Sequence, residues 1–288
     1  MDTLRFAVIG DLHVGTTSDA VQTVIRLVNG MDVDFALFLG DLVHTPEDAH
    51  VREFVEQVRR FNKPVYLTIG NHDTASAEQG YDIHAAIAAG LPGPWSESFT
   101  YGFEAKGWRF IVGGISTMSI AYKGPQINHF KNYVSESGGT IYMPEADLES
   151  FLRLLEESGD QPTCVVMHPP LVRMAPRIRR RGCFAQVRLL EEPGLWSVIY
   201  ERPNVKLLLY GHDHFNQVDE VDGKLHCITQ GVRGYPPYKD ADAIRLVEIA
   251  GGTVRSHMVW EGRDGQAQPG PLGTLEGDQT FEWSFAKL

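Results

Sequence analysis

The feature that most constrains this chain is an alternation of apolar runs with helix-spaced segments through its first half. "LRFAVIG", "VDFALFLG" and "KPVYLTIG" are nearly continuous apolar stretches of strand length, separated by "DAVQTVIRLVNG" and "EDAHVREFVEQVRRF". Strands that are apolar at almost every position are buried on both faces, and the intervening helices carry the chain back for parallel pairing. Beyond them, "WSESFTYGFEAKGWRFIVGG" reads as a hairpin, "EADLESFLRLLEES" and "GLWSVIYER" as helices, and "PTCVVMH" and "VKLLLYG" as further buried strands. The last third, with its Asp-Gly and Gly-Gly turns, is hairpin-like. The expectation is an α/β fold, a four-layer αββα sandwich of two mixed sheets flanked by helices. Residues 1–262 would form its domain. The aperiodic stretch from about 115 to 142 reads as a cap or insertion, and the Gly-, Pro- and Gln-rich 263–288 as a C-terminal tail.

Composition narrows the class. At 43% apolar and 22% charged residues the chain is globular in character, and no apolar run approaches the roughly 18 residues of a membrane span. Its first residues show no signal-peptide pattern. Cys164, Cys183 and Cys227 are odd in number and widely spaced, which suits a reducing cytoplasm better than a disulfide framework. A formal net charge of −11 argues against nucleic acid or anionic lipid as partner. Formal charge leaves out bound cations, however, and acidic residues that hold them can surround a positive site.

Five of the apolar runs end alike: "FAVIGDLH", "ALFLGDLVH", "YLTIGNHD", "CVVMHPP" and "LLLYGHDH". In open α/β sheets functional groups collect beyond the carboxyl ends of the strands, so all five sets are expected in one crevice. Imidazole with carboxylate suits Mn, Fe or Zn, and the set is too large for one tetrahedral zinc. It suffices for two ions sharing a carboxylate, a common device in phosphoryl-group hydrolysis. The glycines that precede these residues, Gly10, Gly40, Gly70 and Gly211, let the backbone turn sharply.

The ordered set "GDLH", "GDLVH", "GNHD", "MHPP" and "GHDH" resembles the calcineurin-like metallophosphoesterase superfamily. The resemblance implies that Asp11, His13 and His214 hold one metal, Asn71, His168 and His212 a second, and that Asp41 bridges them. It implies that His72 contacts the substrate phosphate and assists the leaving group, oriented by Asp73 through a carboxylate–imidazole hydrogen bond. The cofactors would be two divalent or trivalent metal ions (Mn, Fe or Zn), and the reaction hydrolysis of a phosphoester by metal-activated water.

Within the superfamily, "GDLVHTPED" and "GNHD" depart from the Asp-Arg-Gly element and the third-motif Glu of protein phosphatases. The spacing is more similar to the bacterial class III cyclic-nucleotide and glycerophosphodiester phosphodiesterase group, although Met167 stands where that group often has a second histidine. The expected function is therefore hydrolysis of a small phosphodiester. The alternatives are a phosphomonoesterase or a nucleotide or lipid-precursor pyrophosphatase; a non-catalytic scaffold is disfavoured because every ligand position is filled. Arg173, Arg177, Arg179, Arg180 and Arg181 form a basic loop after His168 that reads as a solvated loop or as a site for further phosphate groups. His44 and His129 read as turn or loop residues, Tyr235 as a candidate for stacking on a base, and Trp95, Trp108 and Trp196 as core. The apolar "TFEWSFAKL" is available to dock on the chain itself or on a neighbour, which leaves a homo-oligomer open.

Overall fold

A computed structural model describes residues 2–74, 83–91, 93–95, 98–119, 133–134, 139–171, 195–232, 242–260 and 280–285. The arginines from Arg173 to Arg181, His129, Tyr235 and Cys183 lie outside these residues, as does the Trp196 side chain. The chain begins with β1 (Leu4–Ile9), α1 (Ser18–Asn29), β2 (Phe35–Leu39), α2 (Asp48–Val58), β3 (Val65–Thr68), the single turn α3 (Asn71–Thr74) and α4 (Ile83–Gly90). Then come β4 (Tyr101–Ala105), β5 (Trp108–Val112), β6 (Ser116–Ser119), β7 (Tyr133–Val134), β8 (Gly139–Tyr142), α5 (Glu145–Glu157) and β9 (Thr163–Met167). The remainder is α6 (Leu195–Tyr200), β10 (Val205–Tyr210), β11 (Gln217–Val221), β12 (Lys224–Ile228), β13 (Ala243–Ala250), β14 (Thr253–Trp260) and β15 (Thr280–Ser284).

Two six-stranded mixed sheets form the body, one in the order β15-β14-β13-β1-β2-β3 and the other β11-β12-β10-β9-β5-β4. In the first, β1, β2 and β3 pair in parallel while β13, β14 and β15 are antiparallel additions. In the second, β5, β9, β10 and β12 are parallel and the outer strands β4 and β11 antiparallel. Three tight hairpin turns, Lys106-Gly107, Asp222-Gly223 and Gly251-Gly252, each carry positive φ at both residues, the backbone that matches strand twist.

Alternation along the strands sets the layers. Phe6 and Phe35 stack at 4.9 Å on the face of the first sheet that meets the second, where Phe110 stands edge-on to both at 5.5 and 5.3 Å. Phe38, three residues beyond Phe35, points to the opposite face and meets Phe54 of α2 at 6.0 Å. Val51, Phe54, Val55 and Val58 bury the inner stripe of α2, and α5 lies against β4 and β5 of the second sheet. Trp95 and Trp108 are buried as expected.

Two segments add to the sequence reading. Within the stretch from about 115 to 142, β6, β8 and β7 form a small sheet of their own, and β6 lies beside α3. Within 263–288, Thr280–Ser284 completes the first sheet as its edge strand, so the sheet extends past residue 262. Trp283 donates its indole N–H to Glu220 at 3.0 Å and Phe285 stands against Trp108 at 5.6 Å, which docks the apolar end of the segment on the chain itself.

Candidate metal centre

All the residues singled out at strand ends come together. Asp11 and His13 follow β1, Asp41 follows β2, Asn71 to Asp73 follow β3, His168 follows β9, and His212 and His214 follow β10. The sharp turns there are made by the donor residues themselves. Asp11, His13, Asp41, His212 and His214 all have positive φ, between 34° and 69°. Asp, Asn and His enter that region more readily than other side-chain-bearing residues, but the conformation still costs on the order of 1–3 kcal/mol each and concentrates at functional sites. Of the four preceding glycines only Gly40 has positive φ. The others are needed for space: a Cβ on Gly10 would stand 2.5 Å from the Gln230 carbonyl, one on Gly70 would overlap Asp41, and one on Gly211 would crowd Asp11 at 2.9 Å.

Asp41 lies between two groups of donors. Its Oδ1 is 3.4 Å from His168 Nε2, and its Oδ2 is 3.6 Å from His13 Nε2. On the first side, Asn71 Oδ1 lies 3.0 Å from His168 Nε2 and 2.9 Å from His212 Nδ1, and the two imidazole nitrogens are 3.2 Å apart. On the second, His214 Nε2 lies 3.3 Å from His13 Nε2 and 3.4 Å from Asp11 Oδ1. Main-chain amides hold the carboxylates in place: His72 N–H donates to Asp41 at 2.9 Å, and His212 N–H to both oxygens of Asp11 at 2.9 and 3.1 Å.

These donor sets fit cations. Two ligand atoms each about 2.1 Å from one ion stand roughly 3.0–3.4 Å apart at angles between a right angle and the tetrahedral value, and the separations on the two sides of Asp41 run from 2.9 to 3.6 Å. Hydrogen bonding gives the second reason. His168 Nδ1 is 2.7 Å from the Leu39 carbonyl and must donate there, so in the neutral ring Nε2 carries only a lone pair. That lone pair faces an amide oxygen and a carboxylate oxygen, an arrangement of acceptors that a positive charge must join.

Protons can carry part of that charge. Burial opposes ionisation of His168, but Asp41 and then Asp11 outweigh it and raise the ring to about 9. His214 is likewise raised by Asp11 against its burial. Burial also works against the charge on Asp41, yet His168, followed by His13 and His72, brings the carboxyl well below the usual range. Burial holds His13 down to about 4 and, with His168 beside it, His212 down to about 3.

Asp73 does not orient His72. It is buried, and its carboxylate accepts the main-chain N–H groups of Gly70 at 2.7 Å, Val43 at 3.0 Å and Leu42 at 3.1 Å. Burial and the neighbouring charge of Asp41 push it up to about 7 against those three donors. It thus ties the turn after β2 to the turn after β3. His72 is oriented instead by the main-chain carbonyl of His44, which accepts from Nδ1 at 2.8 Å. No pattern of side chains announces a main-chain acceptor, and His44 reads from sequence as an ordinary turn residue.

A family model for calcineurin-like phosphoesterases matches residues 4–216, from the start of β1 to just past His214. The chain belongs to the calcineurin-like phosphoesterase family. This phosphoesterase is also similar to a probable cyclic nucleotide phosphodiesterase of Coxiella burnetii, 22% identical over 223 residues that cover 73% of this chain and 76% of the relative. Its fold is shared with purple acid phosphatase PPD1 of yellow lupin (TM-score 0.63, 14% identity, 99% of this chain and 54% of that one). It is shared as well with GAP50, described as the anchor in the inner membrane complex of Plasmodium (TM-score 0.56, 14% identity, 92% and 87% covered). A fold found in both a phosphatase and an anchor does not by itself decide catalysis; the site does. Family and site together make the chain a hydrolase of phosphoric esters that uses metal ions. Among the described residues no helix is long and apolar enough to cross a membrane.

Proposed function

We propose that this phosphoesterase holds two metal ions and hydrolyses a small phosphodiester, of which a cyclic nucleotide or a glycerophosphodiester is the model. The observation that carries the dinuclear reading is the division of Asp41, one oxygen toward each donor group. Asp11, His13 and His214 would hold one ion and Asn71, His168 and His212 the other, with Asp41 common to both. When bound, such a pair supplies Lewis acidity at the phosphoryl oxygens and lowers the pKa of a water that attacks phosphorus.

The chain's own residues do the rest. Hydrolysis forms one bond from water oxygen to phosphorus and breaks the bond to the departing alcohol, whose oxygen needs a proton. With Nδ1–H committed to the His44 carbonyl, Nε2 is the position from which the imidazolium form of His72 would deliver that proton, leaving the neutral Nδ1–H tautomer behind. The Leu39 carbonyl fixes the tautomer of His168 in the same way, and the main-chain amides on Asp11 and Asp41 keep the carboxylates from turning. The preference for a diester is supported by the similarity to the Coxiella protein. A cytoplasmic location is supported by the three cysteines, odd in number and widely spaced along the sequence.

The test is a substrate panel on chelated protein with manganese, iron or zinc restored singly. Bis-nitrophenyl phosphate and cyclic nucleotides should turn over, nitrophenyl phosphate much more slowly, and the chelated protein not at all. Turnover that survives complete removal of metal would overturn the dinuclear reading. A preference for the monoester would overturn only the choice of substrate.

A further inference from the structure

A third group of imidazoles lies beside the two donor groups. One ring nitrogen from each of His13, His44 and His72 lies within 4.8 Å of the other two. The ring centroids are 4.7 Å apart for His13 and His72, 5.2 Å for His44 and His72, and 5.6 Å for His13 and His44. An imidazole whose nitrogen lies about 2.1 Å from zinc has its centroid about 3.2 Å away, so tetrahedral angles put neighbouring centroids roughly 5.2 Å apart. The three spacings, from 4.7 to 5.6 Å, bracket that value. Burial grades from His13, buried, through His72, half-buried, to His44, exposed, so the group opens to solvent.

Two of the ring nitrogens are already committed. His72 Nδ1 donates to the His44 carbonyl, and His13 Nε2 is turned to Asp41 and His214. What these rings still offer is His72 Nε2 and His13 Nδ1. The latter is buried and has no hydrogen-bond partner among the described residues, the kind of orphan that calls for a missing ion or ligand.

We propose that His13, His44 and His72 form an outer site for a zinc-class divalent cation, distinct from the pair around Asp41, and that filling it inhibits the enzyme. An all-imidazole set with an open fourth position selects zinc, copper or nickel over magnesium or calcium. His13 would serve both sites as a bridging imidazolate, Nε2 toward the inner ion and Nδ1 toward the outer one, its ring proton passing to solvent as the outer cation binds. An outer cation occupies His72 Nε2 and so takes it away from the leaving oxygen. The inhibitory consequence rests on the role given to His72 under Proposed function, whereas the binding itself does not.

The experiment is a zinc titration of manganese-loaded protein by equilibrium dialysis, comparing wild type with His44→Ala and His44→Cys. Exchange of zinc into the inner pair is common to all three, so the differences report His44. We expect one additional zinc in the wild type, weakened about tenfold or more in His44→Ala and regained in His44→Cys, whose thiolate is itself a zinc ligand. Cobalt in place of zinc should give thiolate charge-transfer absorption in His44→Cys alone. Excess zinc should inhibit the wild type, and His44→Ala should need about tenfold more zinc for the same fractional loss of its own activity. Equal zinc binding by wild type and His44→Ala overturns the proposal. A third zinc that binds through His44 without inhibiting overturns the inhibitory half and the role of His72 on which it rests. Fewer than two manganese ions per chain before zinc is added would instead count against the dinuclear reading.

Discussion

His72 Nδ1 donates to the main-chain oxygen of His44 across 2.8 Å, and the two imidazole rings stand 5.2 Å apart. The turn that carries His44 is itself anchored, because its N–H donates to the Val14 carbonyl at 2.9 Å. A neutral carbonyl holds the ring and its tautomer without adding a charge beside the site.

His72→Asn should therefore keep its metal and lower kcat by about 10²–10⁴-fold on alkyl diesters, whose leaving oxygen must be protonated. The loss should be much smaller on nitrophenyl diesters, whose leaving group departs as a stable anion. Steady-state kinetics on the two ester classes check this, and equal losses on both would exclude the acid role.

Asp73→Asn should act on stability first. An amide in place of the carboxylate can present only one oxygen to the amides of Gly70, Val43 and Leu42, leaving at least one buried N–H facing another donor. A cost of about 1–3 kcal/mol in unfolding free energy is expected for each such group, read by urea denaturation. Unchanged stability with a collapse of kcat would restore the orienting role.

Asp41→Asn and Asn71→Ala should differ in metal content. Asp41 serves both donor groups, and its substitution should empty both sites. The Asn71 side chain meets His168 and His212 among the described residues, so its loss should remove one ion and leave the other. Elemental analysis after dialysis distinguishes the two, and activity should fall by more than about 10²-fold in each.

His226 offers a pH test away from the metal centre. It is fully buried beside Tyr210, and burial lowers it from 6.5 to about 4. Between those values the unfolded chain binds a proton that the folded chain refuses, so stability rises with pH. The contribution is complete above about pH 6.5 and is lost as pH falls toward 4, on the order of 2–3 kcal/mol in all. His226→Gln should lack it, and the stability gap between wild type and variant should narrow by that amount from pH 7 to pH 4.

The strands and helices were legible because their signals are local. Phe35 and Phe38 show their opposite faces by spacing alone, and the apolar stripe of α2 is visible in Val51, Phe54, Val55 and Val58. The donor residues were legible for the same reason, since each stands at the end of an apolar run. The edge strand at Thr280–Ser284 was hidden, because five residues alternating over an exposed edge carry little hydrophobic signal and lie beyond a Gly- and Pro-rich stretch.

By itself, then, the order of residues determined which side chains arrive at one end of the sheets, since periodicity and strand ends are properties of short stretches of chain. Only the tertiary structure decided what each one touches: that Asp41 faces both ways, that Asp73 serves three main-chain amides, and that the partner of His72 is a carbonyl. Apart from the bond between Asp73 and Gly70, such pairings form between segments tens to more than a hundred residues apart. Main-chain donors and acceptors are the same at every position, so no residue type marks which of them a buried side chain will meet.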